Sequence, residues 1–222
     1  MKSKKTRERI LDASLELFNE KKASNVSTVQ ISAAMSISPG NLYYYYANKE
    51  DVIRCLWEER MVGTLDDLLD NMDDVKSAAD ILDFIEAALR YMIEYRFFYT
   101  ELSTLFANDD KLVEVYRDVE KKQREKFTNF VIRLTEEGSF VQGDNVSKVL
   151  SMQNAVAVAK HMLDRFDVYA NKGLGIEEFI GFSWIRIVSV MEPIFVNELK
   201  AEIENELIAR GYPKDKYLEI AE

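Results

Sequence analysis

The sequence predicts an all-α protein in which a small N-terminal three-helix domain, residues 1–48, precedes a larger helical domain, residues 49–222. Helix breakers are scarce, with 8 Gly and 3 Pro in 222 residues, and such a composition favours long helices. Three helix-start signals also lie close together between residues 27 and 51, and apolar residues recur at helical spacing along most of the remaining chain.

The first helix is predicted from about Thr6 to Lys21, where an apolar stripe includes Ile10, Leu17 and Phe18. Basic side chains crowd its start, at Lys2, Lys4, Lys5, Arg7 and Arg9. Residues 1–50 hold 8 Lys/Arg and 5 Asp/Glu, a net charge of +3, whereas residues 51–222 hold 21 and 34, a net charge of −13. The N-terminal end is therefore the part of this acidic chain suited to phosphate contacts.

Two short helices follow, each with a capping signal. Ser27 has Gln30 three residues later, which is the capping-box arrangement and predicts a helix over residues 28–35. Ser38 precedes Pro39, and Pro at the first helical position after Ser is a strong start signal for a second helix.

The connection between these helices is only Ser36-Ile37-Ser38, too short for antiparallel packing, so the pair must cross steeply. Asn48 then caps a third helix, with Glu50 and Asp51 in its first turn. This is the pattern of a helix-turn-helix, whose second helix enters the major groove of DNA.

Four consecutive tyrosines occupy the second helix of the motif. Leu42 and Tyr46 share one side of the helix, so Tyr43 and Tyr44 are left on the exposed side if the first pair is core. Phenol hydroxyls are good donors to phosphates and base edges. The alternative is that the run is only a core and interface patch.

Residues 6–57 resemble the DNA-binding domain of the TetR/AcrR family of transcriptional repressors. The resemblance is carried by the Arg-x-x-Ile-Leu-x-Ala-x-x-Leu-Phe first helix, the capped second helix, the Leu-Tyr-x-x-aromatic recognition helix and the Asn-Lys-Glu start of the fourth. Ser36 departs from the family's usual glycine, so a family-like turn would give this residue a positive φ. Ser32 stands where alanine is usual.

The resemblance implies a set of DNA-contacting residues, whose matching positions here are Thr28, Pro39, Gly40, Asn41, Tyr43, Tyr44, Tyr45 and Lys49. Tyr45 departs from the histidine that the family usually has there. The resemblance also implies a homodimer, and its two-fold symmetry predicts that the double-stranded DNA operator is an inverted repeat.

The larger domain is predicted to contain long amphipathic helices, at residues 49–70, 75–95, 110–137, 146–169 and 176–199. The last two are apolar nearly all round and must be buried on two sides, which predicts a dimer interface built as a four-helix bundle. Pro193 should kink or end the last helix.

Aromatic and sulfur side chains concentrate in this domain. The run Tyr95-Arg96-Phe97-Phe98-Tyr99 is equally suited to a core or to the wall of an apolar ligand cavity. The cavity hypothesis predicts a small hydrophobic effector bound by Tyr91, Met92, Tyr95, Arg96, Phe98, Phe106, Phe127, Met152, His161, Met162 and Trp184. Arg96, Tyr95 or His161 are its candidate anchors, and a bulky ligand is expected. A solid core would use the same aromatics.

Other functions find less support. A single histidine, a single cysteine and the lack of a Gly-rich phosphate loop argue against an enzyme, a metal site or a cofactor. Cys55 fits a reducing cytoplasm, and the apolar segment 179–196 carries Arg186, Glu192 and Pro193, which is typical of a buried helix and not of a membrane span. A ligand-responsive DNA-binding regulator, acting as a repressor, is the leading interpretation. A helical small-molecule-binding or adaptor protein is the alternative.

Overall fold

The computed structural model describes residues 2–219 and the side chains of residues 4–216. Over that range the chain forms thirteen α-helices joined by short turns, which confirms the all-α prediction. The helices are α1 Lys2–Lys21, α2 Thr28–Ala34, α3 Pro39–Tyr45, α4 Lys49–Leu56, α5 Val62–Asp70, α6 Ala78–Glu94, α7 Arg96–Thr100, α8 Leu102–Asn108, α9 Asp110–Glu136, α10 Asn145–Leu163, α11 Phe166–Asn171, α12 Ile176–Met191 and α13 Asn197–Ala209.

The chain forms two compact units. The first comprises the described residues up to Asp66 together with Glu94–Glu120, and the second comprises Asp67–Ile93 with the described residues from Lys121 onward. Each unit therefore contains two separate stretches of sequence, a division that helical periodicity alone does not reveal.

The helix-turn-helix forms as the caps predict. The Ser27 hydroxyl accepts a hydrogen bond from the Gln30 amide while the Gln30 side chain accepts from Ser27 N, so the capping box of α2 is complete. The side chain of Ser38 accepts from Asn41 N at the start of α3. Ser36 in the turn has φ of 55°, the left-handed conformation expected where glycine is usual.

Between α4 and α5 the helix continues through a π-helical turn, Trp57–Met61. The predicted helix over residues 49–70 is thus continuous but contains one wide turn. Trp57 is buried there, and its ring stacks on Phe98 with 4.7 Å between centroids and 9° between planes. Its indole N–H is buried and has no hydrogen-bond acceptor among the described residues.

The aromatic run 95–99 packs into the core of the first unit. Phe97 lies against Phe18 of α1 at 5.2 Å, and Phe98 contacts both Trp57 and Tyr116. Of the two interpretations of this run, the structure supports the core. The short helix α7, which carries residues 96–99 of the run, and the short helix α8 that follows it were not predicted from the sequence.

In the second unit α10 packs along α12. α12 ends at Met191, and Pro193 lies in the following 3₁₀ turn, Glu192–Ile194. The prediction that Pro193 ends the helix is confirmed, but the predicted extension to Leu199 was wrong, because α13 is a separate helix. The predicted helix over residues 146–169 is likewise divided into α10 and α11.

The turn after α9 joins the turn after α12 through backbone hydrogen bonds. Val141 N donates to Ile194 O at 2.9 Å, and Val196 N donates to Ser139 O at 3.2 Å, so that Phe140 and Phe195 form an isolated antiparallel bridge. Both phenylalanines are buried, with 5.7 Å between their rings. This bridge fixes where α13 begins.

Candidate functional site

The outer face of α3 is aromatic and exposed. Tyr43 is 51% and Tyr44 78% exposed, whereas Leu42 and Tyr46 are buried in the first unit. The Tyr44 and Tyr45 rings meet edge-on at 5.0 Å. Pro39, Gly40 and Asn41 are also exposed. The predicted division of the tyrosine run between core and surface is therefore what the structure shows.

Beside α3 lies an open cleft of about 410 Å³ that brings together three of the predicted DNA-contacting residues, Thr28, Tyr43 and Lys49. The Thr28 and Tyr43 hydroxyls are hydrogen-bonded at 2.9 Å. The Lys49 ammonium donates to the Ala23 carbonyl at 2.7 Å. Since an ammonium has three N–H donors, this bond uses one of them.

Four further polar residues line the same cleft, and none was singled out from the sequence for binding. They are Ser24, Asn25, Ser27 and Asn48. Ser27 and Asn48 carried a signal, because they cap α2 and α4, and a cap places a side chain at the same helix end that faces the cleft.

Arg7, one of the basic residues near the N-terminus that were predicted to contact phosphates, instead forms an ion pair within the protein. The Arg7 guanidinium pairs with the Glu59 carboxylate through two hydrogen bonds, lies 5.3 Å from the centre of the Tyr46 ring and contacts the Cys55 sulfur at 3.4 Å. The bond to Glu59 raises the pKa of Arg7, so its charge is permanent. Arg7 thus ties α1 to the π turn. The side chain of Lys2 lies outside the described residues.

Burial also shifts the pKa values of two groups around Arg7, the Tyr46 phenol and the Cys55 thiol. It raises the pKa of the Tyr46 phenol above its usual range, and that hydroxyl donates to the Arg7 carbonyl at 3.1 Å. It also raises the pKa of the Cys55 thiol to about 11. A thiol that stays protonated at neutral pH is a poor nucleophile.

The second unit contains an apolar cavity of about 90 Å³. All sixteen lining residues are apolar: Val75, Ile81, Phe84, Ile85, Ala88, Leu89, Met92, Phe127, Phe130, Phe140, Met152, Ala155, Val156, Ala159, Ile187 and Met191. An engineered apolar cavity of about 150 Å³ stays dry and binds benzene, so a cavity of about 90 Å³ suits a compact hydrocarbon and does not fit the bulky ligand expected from the sequence.

Three of the eleven residues predicted to bind an effector line this cavity, namely Met92, Phe127 and Met152. The other eight lie elsewhere. Four belong to the first unit, Tyr95, Arg96, Phe98 and Phe106. Tyr91, Met162 and Trp184 are buried in the second unit without lining the cavity, and His161 is exposed. None of the three candidate anchors lines it.

Helix α10 presents apolar side chains to solvent. Val146 is 66% and Leu150 50% exposed, and Ala157 on the same helix is also exposed. α12, by contrast, is largely buried within its own unit, with Ser189 exposed and Arg186 half-buried. The exposed large apolar side chains of the predicted interface segments are therefore divided between α10, with Val146 and Leu150, and the neighbouring helices, with Val168 on α11 and Ile176 at the start of α12.

Within residues 2–219, no helix combines the length and the apolar character that a membrane span requires. Over the same range, no three His, Cys, Asp or Glu side chains are grouped so as to hold a metal ion.

The fold and the site define a class: all-α proteins with an N-terminal helix-turn-helix, an exposed recognition helix and a separate helical unit. Comparison with known proteins agrees. Residues 10–55 match the family described as bacterial regulatory proteins of the tetR family, and residues 60–164 match the family described as bacterial transcriptional repressor. The chain belongs to the TetR family of transcriptional regulators.

Individual curated relatives match the chain over only part of its length. The chain is 33% identical over 79 residues to IcaR of Staphylococcus epidermidis, a negative transcriptional regulator of the biofilm operon icaADBC, and 32% identical over 66 residues to the transcriptional regulator AcrR of Shigella flexneri. These regions cover 36% and 29% of this chain, and only 43% and 31% of those proteins.

A solved structure resembles the chain along nearly its whole length. The crystal structure of a TetR-family transcriptional regulator from Marinobacter aquaeolei VT8 is 25% identical with a TM-score of 0.78, covering 92% of this chain and 98% of that one. The likeness thus includes both units.

Proposed function

We propose that this protein is a ligand-responsive repressor that acts in the cytoplasm, binds an inverted-repeat operator as a homodimer and is released by a small hydrophobic effector. Residues 1–48 would form the DNA-binding domain, and residues 49–222 the effector-binding and dimerisation domain. The observation that carries this proposal is the exposed tyrosine face of α3, because Tyr43 and Tyr44 project from a capped helix-turn-helix and are not part of its buried core.

In this proposal α3 enters the major groove. Asn41, Tyr44 and the Pro39-Gly40 start of the helix are placed to reach base edges, which carry sequence information. Thr28, Tyr43 and Lys49, around the cleft, contact phosphates and fix the register on the duplex. Tyr45, half-buried beside Tyr44, supports the position of that ring.

Dimerisation places two such helices on one face of the DNA. Residues 145–169 and 176–200 form the interface, and the exposed Val146 and Leu150 of α10 would be buried in it. A two-fold axis sets the recognition helices about 34–36 Å apart, one turn of B-DNA, so the operator is an inverted repeat.

The effector occupies the apolar cavity of the second unit. With a wholly apolar lining, a charged ligand would lose its hydration without gaining a partner, so the effector is an uncharged and compact hydrophobic molecule. It releases the operator only by favouring the conformer that binds DNA poorly, since a ligand with equal affinity for both conformers shifts nothing.

DNA binding is tested by selecting duplexes from a random pool and measuring affinity against salt concentration. The expected result is enrichment of an inverted repeat and a log–log salt slope of several units, as phosphate contacts release counterions. A Tyr44→Ala variant should bind that duplex more weakly, whereas Glu137→Gln, an exposed change in the second unit, should not weaken binding. Recovery of no enriched sequence by the wild-type protein would exclude the proposed function.

The effector is tested with benzene and n-pentane as probes. Ala88 lines the cavity and its neighbour Ala87 on α6 is exposed, so Ala88→Leu fills the cavity while Ala87→Leu adds the same side chain outside it. Both probes should raise the melting temperature and weaken operator binding of the wild type and Ala87→Leu, but not of Ala88→Leu. Equal responses of all three proteins would place the ligand elsewhere.

A further inference from the structure

Glu101 lies at the junction of α7 and α8 and points a carboxylate at the turn that precedes the helix-turn-helix. The residue is only 8% exposed. One carboxylate oxygen accepts a hydrogen bond from Ala23 N and the other accepts one from Ser24 N at 3.2 Å. Hydrogen bonds from backbone N–H groups to an ionised carboxylate are among the stronger ones in proteins.

The turn that Glu101 holds is Ala23–Asn25, a 3₁₀ turn immediately before the cap of α2. Lys22, which begins it, has φ of 66°, a conformation that a residue with a side chain keeps only when its surroundings enforce it. Two hydrogen bonds hold the backbone of Ala23 in place: its N–H donates to the Glu101 carboxylate, and its carbonyl accepts from the Lys49 ammonium.

A reciprocal contact joins the same two stretches of chain. Asn19 of α1 donates to the Glu94 carbonyl at 2.7 Å and accepts from Phe97 N at 3.1 Å. Its amide therefore bridges the end of α6 and the start of α7. The side chains of Asn19 and Glu101 together hold residues 19–24 against residues 94–101. Both bond to backbone atoms, so these contacts do not depend on which side chains the bonded residues carry.

Glu101 does not line the open cleft, but Ser24 and Asn25, in the turn that it holds, do. We propose that Glu101 is a positioning residue for DNA binding: it fixes the Ala23–Asn25 turn, and through it the cleft formed by Thr28, Tyr43 and Lys49, without touching DNA. This inference rests on the proposed function.

Whether removal of the Glu101 charge weakens or tightens DNA binding distinguishes a positioning role from a purely electrostatic one. Removal of a negative charge from a protein that binds phosphates should by itself tighten binding. Loss of a positioning carboxylate should weaken it instead. Asp12 supplies the matched control, because it is an exposed carboxylate on α1 of the same unit, paired with Arg60 at 3.1 Å, and Asp12→Asn removes the same charge without touching the turn.

The test measures binding of the pool-selected duplex to Glu101→Gln, Glu101→Ala and Asp12→Asn, together with hydrogen exchange at the Ala23 and Ser24 amides. We expect about tenfold weaker operator binding for Glu101→Ala and a smaller loss for Glu101→Gln, which keeps one acceptor oxygen. Amide exchange at both residues should quicken in the same order. Asp12→Asn should bind as tightly as the wild type or more tightly. The salt slope should be the same in all four proteins, because no phosphate contact is removed.

Two results would overturn the inference. If Glu101→Gln folds and binds the duplex as tightly as Asp12→Asn does, the carboxylate is only a structural contact, even if the melting temperature falls. If Ala23 and Ser24 exchange as slowly in Glu101→Ala as in the wild type, Glu101 does not hold the turn. Failure of the wild type itself to select any duplex would instead reject the proposed function, and the positioning role with it.

Discussion

Gly181 provides a sharp test of how the C-terminal segment is held. It lies inside α12, where the Tyr212 ring packs directly on it, and a Cβ at this position would lie 2.1 Å from a ring carbon. Because that distance is far shorter than any non-bonded contact, Gly181→Ala must displace Tyr212.

The cost follows from what Tyr212 contacts. Its ring meets Phe182 at 5.7 Å and Trp184 at 5.8 Å, both edge-on, and Lys216 lies 4.4 Å from its centre. Its hydroxyl donates to the Glu177 carbonyl at 3.2 Å. Two aromatic pairs at about 0.5–1.5 kcal/mol each and a hydrogen bond of about 1 kcal/mol give a loss of about 2–4 kcal/mol. Replacing a mid-helix Gly by Ala returns about 1 kcal/mol. The net expectation is about 1–3 kcal/mol of destabilisation.

Urea unfolding at one fixed protein concentration measures this difference, since dimerisation would make stability depend on concentration. Gly63→Ala is the control, because Gly63 also lies in a helix and, apart from its chain neighbours and the helix backbone around it, no described atom lies within 4 Å of its Cβ position. This variant should gain about 0.5–1 kcal/mol of stability. In a Tyr212→Ala background, Gly181→Ala should become stabilising as well. If Gly181→Ala alone stabilises the protein as Gly63→Ala does, the docking of Tyr212 on α12 is refuted.

Three further predictions follow from the site. Asn41→Ala should relax operator preference at one or two base pairs, by about 1–3 kcal/mol for each base pair that the amide recognises. Lys49→Ala, by contrast, should weaken binding to all sequences and lower the salt slope. If a binding-site selection with Asn41→Ala shows unchanged preference, Asn41 is not part of the interface. Ala157→Glu should bury an unpaired charge in the dimer and yield monomers that do not bind the operator, and a dimeric mass in ultracentrifugation would place the interface elsewhere. Cys55 should be nearly inert to thiol reagents at pH 8. Its thiol pKa is raised from 9.0 to about 11 in the folded protein, so the stability it contributes is complete below about pH 9 and is lost as the pH rises through 11; rapid labelling of folded protein at pH 8 would contradict this.

Local chemistry explains which features the sequence predicted. The caps at Ser27 and Ser38 and the Pro39 start specify α2 and α3, because each acts within three or four residues. Pro193 likewise stops α12 through its own missing N–H. The left-handed backbone at Ser36 was expected from the resemblance, because glycine is usual at that position.

What the sequence did not predict depends on contacts between distant segments. Periodicity shows that Phe98 has an apolar environment but not that its partner is Trp57, so the aromatic run was equally compatible with a cavity wall. The real cavity is lined by α6, α9, α10 and α12 together, and its position depends on which faces meet. Arg7 was expected at phosphates because nothing near it in sequence reveals Glu59.

The π turn at Trp57–Met61 has a consequence for how this fold can diverge. A π turn holds one residue more than an α-helical turn would need, so deletion of a single residue there would let α4 and α5 join as a regular helix. Because the wide turn takes up the extra residue, the faces of α4 and α5 should keep nearly the same phase after such a deletion, whereas the same deletion in a regular helix would rotate the two segments by about 100°. A change of one residue in chain length can therefore be absorbed at this turn without rotating one helix face against the other, so the turn marks the point along residues 49–70 where the length of the chain is free to vary.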